Sequence, residues 1–221
     1  GLRNIVLGYQ SNYTNTTSSD LIAIGYQAMY NNTTGTTNIA IGNYSLNSNT
    51  TGTNNIGIGH QAGFTTQTAS NNISIGYNAG YNVTGSFNIF IGTQAGVLTS
   101  GSSIICMGYD TMPTMTVADF PGTICIGHQA FHSATRVNGS IAIGYQAAYS
   151  ITGLSKFCLA VGYKAMLSTA DGNSNSAVGY QALYTNVSGS RISAFGHEAS
   201  YTSTASDITA IGYHALYLTT T

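Results

Sequence analysis

The chain is poor in charge. Lysine, arginine, aspartate and glutamate make up 5% of its 221 residues, about a fifth of the share usual in a soluble domain. Five basic residues cannot supply the positive footprint that displaces counterions from a phosphate backbone, so nucleic acid is not an expected partner. Tryptophan is absent and there are 2 prolines. No apolar run is long enough for a transmembrane helix, so membrane insertion is not expected. Cys106, Cys125 and Cys158 are too few, and odd in number, for a disulfide scaffold. The start of the chain carries no basic n-region followed by an apolar h-region, as expected of a processed protein or a segment of a longer one. Alanine, glutamate, lysine and leucine do not dominate, which argues against a coiled coil. Disorder is excluded by 43% hydrophobic residues at a net charge of −1.

What fills the chain is Gly 27, Asn 20, Thr 30, Ser 24 and Tyr 16. These residues are ordered by a repeat. Its anchor is a glycine after a short apolar run: Gly8, Gly25, Gly42, Gly59, Gly76, Gly92, Gly108, Gly127, Gly144, Gly162, Gly179, Gly196 and Gly212. The spacing is 16 to 19 residues, most often 17. A unit this short cannot enclose a core of its own and must bury its apolar face on its neighbours. It is also too short for a strand–helix–strand crossover. The expected fold is therefore all-β, a parallel β-solenoid or β-roll of thirteen coils of about 17 residues, stacked at about 4.8 Å. The coils form one array over residues 1–221, a rod about 60 Å long. Residues 110–122 carry both prolines, Pro113 and Pro121, and the longest spacing. They are read as an enlarged loop between coils.

Stacking turns equivalent positions into columns. The column before the anchor is apolar throughout, from Leu7, Ile24 and Ile41 to Phe195 and Ile211. It is read as the continuous core stripe. The column two residues before the anchor is small in most units (Ala23, Ala40, Ala142, Ala160). It is expected to face a subunit interface or a second layer of the same coil. After the anchor comes a ring column, including Tyr9, Tyr26, His60, Tyr77, His128, Tyr145 and His197. Beside it runs an amide column of Gln10, Gln27, Gln61, Gln94, Gln129, Gln146 and Gln181. Identical rings and amides stacked at strand spacing form ladders that satisfy their own polar groups. Like charges on every rung would repel, which accounts for their scarcity.

No catalytic constellation appears, and an enzyme is not expected. His128-Gln129-Ala130-Phe131-His132 has the histidine spacing of a zinc-protease helix but glutamine where glutamate must act as base. His60, His128 and His197 are better read as rings in the ring column. Gly57 and Gly59 belong to the repeat and not to a phosphate loop. The six carboxylates are scattered and lack the spacing of calcium-binding rolls. Hence no catalytic residue, metal or cofactor is assigned. Cys106 and Cys125 share the small column in successive units, within disulfide reach. The preferred reading is that each replaces alanine as a small apolar filler. Asn-x-Ser/Thr triplets are more frequent than composition predicts. Possible glycan acceptors are Asn12, Asn15, Asn31, Asn32, Asn49, Asn82, Asn138 and Asn186.

The segment from Asn175 to Tyr184, Asn-Ser-Ala-Val-Gly-Tyr-Gln-Ala-Leu-Tyr, is similar to repeats in tail-fibre-like proteins of bacteriophages and bacterial surfaces. The Ile-Ala-Ile-Gly core also resembles the heads of trimeric autotransporter adhesins. That second resemblance implies a left-handed roll and a homotrimer. Together they imply an extracellular cell-surface appendage or virion fibre. The expected function is structural: a non-enzymatic fibre or filament subunit whose main partner is itself. The terminal assembly residues would be Ile5, Leu7, Ile208 and Ile211, because joining one copy's end to the next copy's start preserves the period of 17. The alternative is an adhesin or receptor-binding fibre that grips surface glycans. An ice-binding array would need threonine in one flat column, and threonine here shifts among the turns.

Overall fold

The computed structural model describes residues 2–113, 121–134, 137–152 and 156–220. Two compact units divide the chain, residues 1–107 and 108–221. Each is a parallel β-solenoid built from the same stacked coil, with no helix among the described residues.

In the first unit seven three-residue strands carry the repeat: Ile5–Leu7, Ile22–Ile24, Ile39–Ile41, Ile56–Ile58, Ile73–Ile75, Ile89–Ile91 and Ile105–Met107. They pair parallel and in register, so Ile22 faces Ile39, Ala23 faces Ala40 and Ile24 faces Ile41. The second unit holds Ile124–Ile126, Ile141–Ile143, Leu159–Val161, Ser176–Val178, Ser193–Phe195 and Thr209–Ile211, paired the same way. Its polar corners add a second parallel ladder from Ser150–Ile151 to Leu218–Thr219. A short counterpart in the first unit pairs Asn82–Val83 with Leu98–Thr99.

The anchor glycines are required twice over. Each has φ between 117° and 139°, a region closed to side chains. Eleven of the thirteen also lie against the next rung: a Cβ on Gly25 would sit 2.5 Å from the Gly42 carbonyl oxygen. Two further corners follow in every coil. The residues two and four after the anchor are left-handed, as at Gln27 (φ 50°) and Met29 (φ 51°). Non-glycine residues in this region are strained by about 1 kcal/mol or more. Hydrogen bonds to both neighbouring rungs hold them there. The Gln27 N–H donates back to the Tyr9 carbonyl (2.9 Å), and the Met29 N–H donates forward to the Ser45 carbonyl (2.9 Å).

Inside and outside are the reverse of the expectation for the large residues. The small column is the interior one: Ala23, Ala40, Phe90, Cys106, Cys125, Ala142, Ala177 and Ala194 are all 0% exposed. The column read as the core stripe points outward, with Ile41 and Ile143 each 37% exposed. The reason is the narrow coil. Across from the small column stand Met29, Leu46, Phe131, Met166 and Leu183, themselves buried, and they leave no room for a second large residue. The small column thus faces a second layer of the same coil.

Sizes are matched across this gap. Gly57 in the small column faces Leu46, whose Cγ would lie 2.8 Å from a Cβ at Gly57. Phe90 is the one large ring in the small column, and Gly80 and Gly96 stand opposite it, each a residue whose Cβ would collide with that ring.

Another interior column, four before the anchor, is polar. Asn38, Asn55, Asn72 and Asn88 are buried and form a ladder. Asn55 Nδ2 donates to the Ala69 carbonyl (2.8 Å), while Asn55 Oδ1 accepts from the Asn72 N–H (3.0 Å). The same pattern joins Asn38 to Asn55 (2.8 Å) and Asn72 to Asn88 (2.9 Å). Each amide satisfies its own polar atoms and a backbone N–H of the next rung, so burial costs little.

Three substitutions test this inside-out assignment in urea unfolding. Ala142→Leu overpacks the interior and is expected to cost about 1–3 kcal/mol. Ile143→Thr, on the neighbouring outward residue, is expected to cost less than about 1 kcal/mol. Gly25→Ala, forced both from its φ and from the Gly42 backbone, should cost about 3 kcal/mol or more. Equal losses at Ala142 and Ile143 would contradict the assignment.

Candidate functional site

The outward side of the strands carries two aliphatic columns. In the first unit they comprise Ile5, Ile22, Ile39, Ile56, Ile73, Ile89 and Ile105 in one, and Leu7, Ile24, Ile41, Ile58, Ile75, Ile91 and Met107 in the other. All fourteen are exposed or half-buried. In the second unit the column next to the anchor stays apolar, from Ile126 to Ile211, while the other turns polar at Ser176, Ser193 and Thr209. No charged side chain interrupts either column. Strand sterics explain the β-branched choice, because isoleucine packs well against its in-register neighbour on a pleated surface.

Beyond the anchor glycine stands the ring column, and it is stacked as the sequence implies. In the second unit six rings follow one another without a break: Tyr109, His128, Tyr145, Tyr163, Tyr180 and His197. Their centroids are 4.7 to 5.2 Å apart, with interplanar angles of 6° to 22°. Tyr9–Tyr26 and His60–Tyr77 stack in the first unit. A second ring column, five after the anchor, was not singled out from the sequence. Tyr13–Tyr30, Phe64–Tyr81, His132–Tyr149 and Tyr184–Tyr201–Tyr217 stack within 5.3 Å in it. Aligning all positions of the repeat reveals it, since tyrosine recurs there in seven units, against eight in the first column.

The amide ladder forms where glutamines are consecutive. Gln27 Nε2 donates to Gln10 Oε1 (2.7 Å) and Gln146 Nε2 to Gln129 Oε1 (2.9 Å). Charges are used sparingly and in opposite pairs on adjacent rungs. Arg3 pairs with Asp20 and Arg191 with Asp207, both at 2.6 Å on the surface. The Arg191 hydrogen bond holds the Asp207 carboxyl below its ordinary range.

His128 and His132 lie on a turn and not a helix, each in its own ring stack. Cys106 and Cys125 are buried in the small column of their coils, as the filler reading has it. Cys158 takes the asparagine column, and burial pushes its thiol pKa up. A shallow groove of about 260 Å³, lined by Thr65, Gln67, Thr68, Ala69, Asn82, Val83 and Thr84, follows one polar corner.

The glycan acceptors separate by burial. Asn32, Asn49 and Asn186 are 0 to 1% exposed. Their Nδ2 atoms, which would carry the sugar, donate inside the coil to the carbonyls of Gly35, Gly52 and Gly189 (2.8 to 3.1 Å). A glycan on any of these three has no room, which corrects the expectation for them. Asn12, Asn15, Asn31 and Asn138 are half-buried, and Asn82 is exposed. Of the terminal residues, Ile5, Leu7 and Ile211 belong to the outward aliphatic columns and are 58%, 67% and 71% exposed. Ile208 is half-buried in the asparagine column. Residues 114–120 of the expected enlarged loop lie outside the described residues.

No family model, curated protein or solved structure matches the chain. The columns themselves therefore carry the functional argument.

Secretion through a glycosylating host tests the burial pattern. Peptide mass spectrometry of the folded protein is expected to find any glycan at Asn82 and none at Asn32, Asn49 or Asn186.

Proposed function

We propose that the protein is a non-enzymatic structural subunit of an extracellular fibre, assembled from copies of itself through the outward aliphatic face. The carrying observation is the pair of aliphatic columns. Seven rungs at about 4.8 Å make a stripe roughly 30 Å long and 10 Å wide, or about 300 Å². An uncharged patch of that size matches the largest that monomers usually leave exposed. At about 25 cal/mol per Å², covering it favours association by roughly 7 kcal/mol per subunit before ordering costs. The stripe is a ridged lattice with a fixed rung spacing. A second copy presents the same lattice at the same spacing, so its ridges fit the intervening grooves at every rung. Partners without that periodicity meet only a few rungs.

The expected end-to-end contact continues the same columns along the axis, and the two modes differ in their products. Lateral contact closes at a small copy number, whereas end-to-end contact leaves an open chain. Fibre duty also fits the scarcity of charge and the stacked rings.

Sedimentation of the parent and of Ile39→Thr/Ile41→Thr/Ile56→Thr/Ile58→Thr tests the reading. Threonine keeps strand chemistry, and the chain itself places it at Thr209 in the column of Ile39 and Ile56. The parent is expected to sediment as an oligomer and the variant as a folded monomer. A parent that is monomeric at every concentration would sink the proposal. Electron microscopy of the parent distinguishes closed lateral oligomers from open filaments.

A further inference from the structure

Among the described residues, one cluster brings three side chains of metal-binding type together: His197, Glu198 and His214. One ligand atom from each lies within 4.8 Å of the others. All three depart from what most rungs carry. His197 replaces tyrosine in the ring column. Glu198 replaces glutamine in the amide column, and His214 occupies that same column one rung on. Stacking therefore delivers residues 197 and 198 beneath residue 214.

The geometry is held by the backbone and by ring packing. Glu198 and His214 are both left-handed, with φ 54° and 53°. Their N–H groups donate to the Tyr180 carbonyl (2.8 Å) and the His197 carbonyl (3.0 Å). The His197 ring stacks on Tyr180 at 4.7 Å, and the His214 ring on Tyr213 at 4.0 Å. Glu198 Oε2 lies 2.6 Å from His214 Nε2, and Glu198 Oε1 lies 4.0 Å from His197 Nδ1. The Glu198 side chain is 18% exposed and the two imidazoles are 45% and 42% exposed, so the cluster is open on one side.

We propose that His197, Glu198 and His214 bind one divalent transition-metal ion of the zinc class. Two imidazole nitrogens and one carboxylate oxygen suit zinc, whereas magnesium and calcium take oxygen ligands. Ligands about 2.1 Å from a tetrahedral ion stand about 3.4 Å apart. The two separations, 2.6 Å and 4.0 Å, bracket that value, and the three ligand atoms all lie within 4.8 Å of one another. His214 Nε2 gives up its hydrogen bond to Glu198 and any proton it carries, then takes the ion in its place. Binding therefore releases protons and weakens on acidification. Three ligands leave the solvent side for water or for a donor from another molecule. The ion would tie two successive rungs together and raise the stability of that stretch by linkage.

Isothermal titration of the whole chain with zinc chloride, and separately with magnesium chloride, tests the site. One equivalent of zinc is expected to bind and magnesium is not. Glu198→Gln, His214→Gln and His197→Tyr each restore the residue that other rungs carry at that column, so the coil is preserved. Far-UV circular dichroism verifies this. Loss of a supporting partner alone weakens metal sites by about ten- to hundredfold, so each variant is expected to lose at least about tenfold in zinc affinity. Zinc is also expected to raise the melting midpoint of the parent, with reversal by a chelator. Absence of zinc binding, equal binding of magnesium, or zinc affinity unchanged by all three substitutions would overturn the proposal. None of these outcomes bears on lateral assembly, which depends on the aliphatic columns.

Discussion

Backbone hydrogen bonding from rung to rung is the constraint from which the rest follows. In each unit the N–H and C=O groups of a coil point along the axis, and the partners sit one repeat away. Gly25 donates to Leu7, Ile22 to Asn38 and Asn31 to Asn47, all within 3.0 Å. The bonding runs through strands and corners alike, so it fixes register all the way round the coil. In-register stacking places like residue over like residue. That single fact explains why rings, amides and aliphatics form ladders. It also explains why Arg3 with Asp20, and Arg191 with Asp207, stand as opposite charges one rung apart.

The same constraint sets the interior. A coil of about 17 residues with four residues of positive φ, the fourth lying five before the anchor as at Thr37 and Asn54, encloses a very thin core, and volume must balance across it rung by rung. Leu46 against Gly57, and Phe90 between Gly80 and Gly96, show that balance locally. Asparagine works inside because its amide reaches along the axis to the next rung while also closing its own corner. Leucine and isoleucine in that column, at Leu21, Ile104 and Ile192, trade the hydrogen bonds for burial. The large β-branched residues then have one place left, the outer face.

The repeat, the parallel coil, the ring stacks and the glutamine ladder were legible in the sequence because each depends only on period. Inside and outside were not, because alternation says that Ile39 and Ala40 face opposite ways without saying which way is in. Size misled: large apolar residues are usually interior, but here Met29 and Leu46 from the far wall already fill the space. The Asn-x-Ser/Thr triplets misled for a related reason. Asn32 and Asn186 resemble surface turn residues in isolation, and only the fold shows their amides closing the corner from within. The metal cluster was invisible because His214 lies 17 and 16 residues beyond His197 and Glu198 and the three stand in two columns, and His197 read correctly as a ring.

An exterior this regular separates two tasks. The outward aliphatic columns repeat without interruption through the first unit, so they suit a contact that depends on periodicity and not on any single residue. Departures from the columns, by contrast, mark places where one rung does something its neighbours do not. Tyr44 in the amide column costs little, because it packs edge-on against Tyr26 and Phe64 at 5.2 and 6.4 Å. Glu198 and His214 are different. Their substitution brings a carboxylate and an imidazole into a column that glutamine dominates, and the fold answers with a cross-rung pair at 2.6 Å. A solenoid can carry such local chemistry because a single rung can be changed without disturbing the hydrogen-bonded backbone that stacks it.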